Sequence, residues 1–301
     1  MKSLRAILAV VCLLGSTSLV FGADTYVSST GSNANTVSFC QRSTPCATFS
    51  AAFSVTDFGG VIHVLDAGAF GILTITHGVT LDGGNLGTTL NSGGAGESSA
   101  PQITIAAGST DIVTIQNLTI STGGSFASAA IAVTRVGGLH VQNCTFSGYR
   151  NAAIDFRATG AQLEMTNVTI TDIQGGVGVY VANARGVLDG VHIHHTQTAV
   201  LAAGSSTVSI RRSTVNGNGS GFVAAYGPTA EIHVDDCVMT NNQWAVVVAS
   251  GARAYVSRSS LFNNFITAMF NDDGSSLISY GNNQFAGNAN DGTFTSTVSV
   301  K

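Results

Sequence analysis

Two groups of side chains in this chain carry enough chemistry to be considered first. Asp235-Asp236 is a carboxylate pair, and Arg211-Arg212 stands 24 residues before it. Paired carboxylates can divide general acid from general base, and arginines can hold an anionic group or draw off a proton beside it. His192 and His194 are the second group. Alternate positions on a strand face the same way, so two imidazoles at this spacing are a start on a zinc or copper site, which wants a third or fourth ligand. A third chemistry is covalent: Cys40 and Cys46 bracket a short turn and are expected to be disulfide-bonded.

What these residues can do depends on the elements that present them. From Ile115 onward one pattern recurs, and Ile115, Val141, Met165, Leu188, Ile210, Val234, Val256 and Tyr280 fall in a single column at spacings of 26, 24, 23, 22, 24, 22 and 24. A fixed period in this range marks a solenoid, whose units cannot bury their apolar face alone. Each unit reads as two short strands meeting at a tight turn, as in Val141-Gln142-Asn143-Cys144-Thr145-Phe146. A third short strand follows, led by Gly or Ala: Ala153-Ile154, Gly178-Val179, Ala199-Val200, Gly221-Phe222, Ala245-Val246 and Ala268-Met269. Three parallel strands per coil predict an all-β, right-handed parallel β-helix solenoid. The turn column holds Asn117, Asn143, Asn167, Gly190, Arg212, Asp236, Arg258 and Asn282, types that include the best formers of a left-handed bend, and stacked Asn can bond along the axis. The three Asn-x-Thr sequons in this column are read as ladder positions.

The same alignment gives the charged residues a plainer role. Asp189, Arg211 and Asp235 share one column, and Arg212, Asp236 and Arg258 share the next, so opposite signs meet on successive coils as a charge ladder. Around His192 and His194 the neighbouring coils offer Thr169, Thr171, Thr214 and Asn216, which reads as a solvated polar face. Cys144 and Cys237 fall in one column four coils apart, roughly 19 Å, and are expected to stay unpaired. The third strand is different. Consecutive apolar residues there put a stripe outside as well as a core inside: Tyr180, Leu201, Val223, Val247 and Phe270. Such a patch suggests a partner surface, a covering segment or self-association.

The front of the chain sets its compartment. Lys2 and Arg5 precede the apolar run Ala6 to Leu14 and a small-residue tail, the pattern of a secretory signal peptide over 1–22. Residues 23–58 form an N-terminal segment in which Thr44-Pro45-Cys46, with Phe49, Ala52, Phe53 and Val55, predicts a capping helix with Pro at its first position. The β-helix is expected over 59–301, broken by a Gly, Ser and Asn rich loop from Gly83 to Ala100. Only 9% of residues are charged, and Gly reaches 36 against 3 Pro, a balance of strand and turn formers. Without Lys2 and Arg5, ten of the twelve Lys and Arg face sixteen acids, a net of minus six, which argues against nucleic acid as a partner. No transmembrane segment is expected in the mature chain, and no cofactor is called for.

On these residues the repeat region resembles the pectate-lyase-like superfamily of single-stranded right-handed parallel β-helices. The run from Cys40 to Gly71, with Pro45-Cys46-Ala47-Thr48-Phe49 and Gly59-Gly60-Val61-Ile62-His63-Val64-Leu65-Asp66, resembles exported bacterial β-helix proteins. The resemblance implies an architecture and no particular activity. Polygalacturonases of the superfamily carry Asn-x-Asp, Asp-Asp, Gly-His and Arg-x-Lys. Here Asp235-Asp236 matches the second, but no His follows His233 and the only Lys beyond the leader is Lys301. The expected function is therefore that of an exported, non-catalytic β-helix protein in the cell envelope or extracellular space, binding carbohydrate or its own copies. A lyase or hydrolase acting on acidic polysaccharide, using Asp235, Asp236, Arg211 and Arg212, is the alternative.

Overall fold

The computed structural model describes residues 24–84, 86, 100–122 and 127–298. The leader, most of the Gly83 to Ala100 loop and Lys301 lie outside the described residues. Every strand pairing among the described residues is parallel, as a β-helix requires. Twelve strands form one sheet from Thr25–Val27 to Ser296–Thr297, and fifteen form a second sheet that carries both the short strand after the turn and the third strand. The first sheet is the first ladder, and the second sheet holds the second and third ladders. In the coil that starts at Glu231–Asp235, these are followed by Val238–Thr240 and Trp244–Val248.

The core is filled by inward columns. Ile115, Val141, Met165, Leu188, Ile210, Val234 and Val256 pair in succession and are buried. Ile154, Val179, Val200, Phe222, Val246 and Met269 do the same in the third ladder. The small residue before each member of this column also points inward, because the chain bends there. A Cβ on Gly178 or Gly221 would lie 2.6 or 2.4 Å from a carbonyl oxygen of the next coil, so these two coils need Gly where others of the column carry Ala.

The last coil departs from the expected register. Val256 pairs with Ser279, not Tyr280, so Ser279 is buried and Tyr280 faces outward. The turn slips with it: the left-handed residue is Gly281, φ 79°, and Asn282 instead accepts a hydrogen bond from Arg258 N at 2.9 Å. A slip of one residue exchanges the two faces of a strand, and Ser tolerates the inward place near the end of the stack. The other turn residues are left-handed as expected, from Asn117 at φ 57° to Arg258 at φ 46°.

The N-terminal helix is shorter than the sequence pattern suggested. It spans Phe49–Phe53 and starts from Thr48, whose side chain accepts from Ala51 N at 3.2 Å. Pro45 is no part of it: Pro45 O is taken by Ser32 N, and Cys46 pairs with Val27 across a parallel bridge. Phe49, Ala52 and Phe53 enter the core, with the Phe49 ring edge-on to Phe70. Cys40 and Cys46 are disulfide-bonded, and their loop lies over the first strand through Tyr26 N to Cys40 O at 2.8 Å and Cys46 N to Tyr26 O at 2.9 Å.

Two asparagine lines run along the axis. Outside, Asn143 Nδ2 donates to Asn117 Oδ1 at 3.2 Å, Asn167 to Asn143 at 3.4 Å, and Asn117 to Asp82 Oδ1 at 2.9 Å. Inside, at the corner before the third ladder, Asn218 Nδ2 donates to Asn242 Oδ1 at 3.0 Å, Asn242 to Asn264 at 3.2 Å, Asn264 to Asn288 at 2.8 Å, and Asn288 to Asp291 at 2.8 Å. Each inner amide also accepts from the backbone N–H of the coil before, so three buried polar side chains are satisfied.

Candidate functional site

The sequence-selected carboxylates and arginines do assemble at one corner, but with different partners from those expected. Asp189, Arg211, Asp235 and Ser257 succeed one another at the outward end of the first ladder. Each is followed by a left-handed residue: Gly190, Arg212, Asp236 and Arg258. Arg211 Nε donates to Asp189 Oδ2 at 3.0 Å and Arg212 Nε to Asp189 Oδ1 at 2.9 Å, with Arg212 Nη2 closing a two-point grip. Arg258 grips Asp235 in the same way, Nε at 3.0 Å from Oδ1, while Ser257 Oγ donates to that oxygen at 2.6 Å. The left-handed bend swings each turn-column arginine back toward the strand-end carboxylate of an earlier coil. Asp189 therefore holds both Arg211 and Arg212, and Asp236 touches the arginines only through its field.

The electrostatics follow. At Asp189 the hydrogen bond from Arg212 outweighs partial burial, and the charges of Arg211 and Arg212 add to it, so the carboxyl lies below its usual range. At Asp235 burial works the other way, but hydrogen bonds from Ser257 and Arg258 overcome it and the carboxyl is again lowered. Both groups are built to stay ionised. Neither is tuned toward the raised pKa that keeps a carboxyl protonated near neutral pH and so available as a general acid.

Beside this corner is an open hollow of about 300 Å³ lined by Asp235, Ser257, Arg258, Tyr280 and Asn282. Its origin is the outward column: Ser257 is the small residue between Asp235 on one coil and Tyr280 two coils on. Across the first ladder the rings continue, His233 stacked on Tyr255 at 4.7 Å and 5°, and Tyr255 on Tyr280 at 6.5 Å and 28°. His233 also meets Glu231 at 2.5 Å.

On the third ladder the apolar stripe is a single register column. Tyr180, Leu201, Val223, Val247 and Phe270 pair in order, and Asp155 precedes them. Exposure along it is uneven: Leu201 is 9% exposed and Phe270 45%, so Leu201 is closed over by its neighbours instead of standing open as the alternation implied. Arg157 lies over the Tyr180 ring at 4.6 Å and pairs with Asp155 at 2.7 Å. A groove of about 240 Å³ runs between Ser220, Trp244, Val247 and Phe270. Trp244 and the outward rings of Tyr255 and Tyr280 escaped the sequence reading. Trp244 is the only tryptophan in the chain, a signal that was available.

His192 and His194 point outward from one strand, facing Thr169 and Thr214, and Thr171 and Asn216, on the coils either side. His195 sits edge-on to His194 at 5.4 Å, and its Nδ1 is 3.2 Å from Asp172 Oδ1. No group of three or more His, Cys, Asp or Glu positioned to hold a metal occurs among the described residues. Cys144 and Cys237 are buried free thiols, pushed up by burial to about 11 and about 12.

Among solved structures the chain is similar to pectate lyase Pel9A, at 13% identity and TM-score 0.62, over 92% of this chain and 78% of that one. It also aligns with a GH136 lacto-N-biosidase from Eubacterium ramulus, at 12% identity and TM-score 0.38, over 87% and 67%. No curated protein matches by sequence. The first likeness extends the parallel β-helix fold over nearly the whole chain. The family model described as right handed beta helix region matches residues 129–289, which is 161 of 301 residues, and the chain belongs to that family.

Proposed function

We propose that this chain is an exported, non-catalytic β-helix protein that acts by surface binding, with the third-ladder stripe as its contact and its own copies as the partner. The observation that carries the reading is the register column Tyr180, Leu201, Val223, Val247, Phe270, five apolar residues on five consecutive coils, closed over at Leu201 and most open at Phe270. Polar positions are the rule on solvated strand faces, and a continuous apolar column invites an apolar counterpart. Its mostly aliphatic make-up suits packing against an identical column better than stacking on sugar rings. The Cys40–Cys46 disulfide suits an oxidising compartment. Sedimentation velocity of the mature protein should show dimers or larger species that Val247→Asp and Phe270→Asp convert to monomer. A monomer at all concentrations would remove the reading.

A lyase or hydrolase acting on acidic polysaccharide is the second reading, favoured by the fold likeness to pectate lyase Pel9A and by the Asp235-Asp236 pair. Incubation with a panel of polyuronides, following unsaturated products and reducing ends, separates the two. Turnover of any of them would establish an enzyme.

A further inference from the structure

We propose that the hollow between Asp235 and Tyr280 is a binding site for one ring of a neutral saccharide, on a different face from the apolar stripe and independent of it. Three observations converge. The first is shape. Asp235, Ser257 and Tyr280 occupy successive coils of one outward column, so the small serine leaves a slot between two larger side chains whose backbones stand two coil rises, roughly 9.6 Å, apart. The hollow, about 300 Å³ and open to solvent, has room for one pyranose ring with its substituents.

The second is the nature of the walls. Tyr280 supplies a flat aromatic surface continued by Tyr255 and His233, and the C–H face of a pyranose packs on such a surface. The same hollow is lined by a carboxylate, a guanidinium, a hydroxyl and the Asn282 amide, acceptors and donors of the kind that meet vicinal hydroxyl groups. The third is charge. A uronate needs a free cation, but Arg258 is already gripped by Asp235 through Nε at 3.0 Å and through Nη2. Asp236, on the same turn and without an ion pair of its own among the described residues, adds a negative charge beside the slot. An acidic sugar would have to displace Asp235 against that field, whereas a neutral sugar can use the Asp–Arg pair as it stands.

The slot exists because the last coil slips by one residue. With Tyr280 inward, as the repeat alone would place it, there would be no ring at this wall.

The test is saturation-transfer difference NMR and titration calorimetry of the mature protein with neutral xylo-, manno- and galacto-oligosaccharides and with oligogalacturonate. At least one neutral series should bind, with oligogalacturonate weaker. Tyr280→Ala and the slot-filling Ser257→Leu should each weaken it by about tenfold or more, Tyr280→Phe should restore it, and Phe270→Ala should leave it unchanged. Unfolding midpoints near that of the parent show that the variants remain folded. Absence of neutral-sugar binding, equal binding by Tyr280→Ala and Ser257→Leu, or tighter binding of oligogalacturonate would overturn the proposal.

Discussion

Asp189 and Asp236 are similar as letters in the sequence and differ in the fold. Asp189, 13% exposed at its side chain, anchors two arginines, whereas Asp236 stands exposed on the turn. Asp189→Asn should cost about 1 kcal/mol, at the upper end for a surface ion-pair network, and Asp236→Ala less than about 0.5 kcal/mol, by denaturant titration. The pH dependence has a definite sign. Folding lowers the carboxyl pKa of Asp189 and Asp235, so their contribution is complete above the ordinary carboxylate range and disappears as pH falls through their folded values. The parent should therefore lose more stability than Asp189→Asn on acidification below about pH 4. The thiols give a second test at this scale. Cys144 and Cys237 are buried and hard to ionise, so a maleimide should label neither until the chain unfolds, and mass mapping should recover both as free thiols.

The elements were the most legible level, and the reason is the parallel ladder. Inward apolar columns repeat at the coil period, so Val234 and Ile154 could be placed from spacing alone, as could the left-handed turn at Asn143. What escaped was local. The slip to Ser279, the start of the helix at Thr48, and the reach of Arg258 to Asp235 depend on where a turn aims a side chain, which periodicity does not encode. The inner asparagine line was also missed, because Asn218, Asn242, Asn264 and Asn288 sit among the many Asn of the repeat and only burial distinguishes them. Asn242 is fully buried with five hydrogen bonds to neighbouring coils. Asn242→Ala should cost about 2–3 kcal/mol by orphaning the Asn218 N–H and amide. Reducing the Cys40–Cys46 bond should cost about 2 kcal/mol and speed amide exchange first at Thr25–Val27, which its loop covers.

For the whole molecule, the stack works as a ruler with unlike edges: a charged corner with a sugar-sized slot, an apolar stripe, and histidines between polar neighbours. Surfaces on separate ladders can act at once, so the self-contact and the saccharide site proposed above would not compete. The two asparagine lines give this ruler a further property. In the inner line each amide nitrogen points to the oxygen of the following coil, so its dipoles add with the positive end toward the C-terminus, where the Asp291 carboxylate receives it. In the outer line the nitrogens point the opposite way and the line ends on Asp82. The solenoid thus carries two antiparallel polarised wires, each earthed on an anion, and cooperative polarisation along such a chain strengthens every link in it. Discharging one terminus should be felt beyond its neighbour: in Asp291→Asn the side-chain amide protons of Asn264 and Asn242 should shift upfield in diminishing steps, as a current weakens down a line.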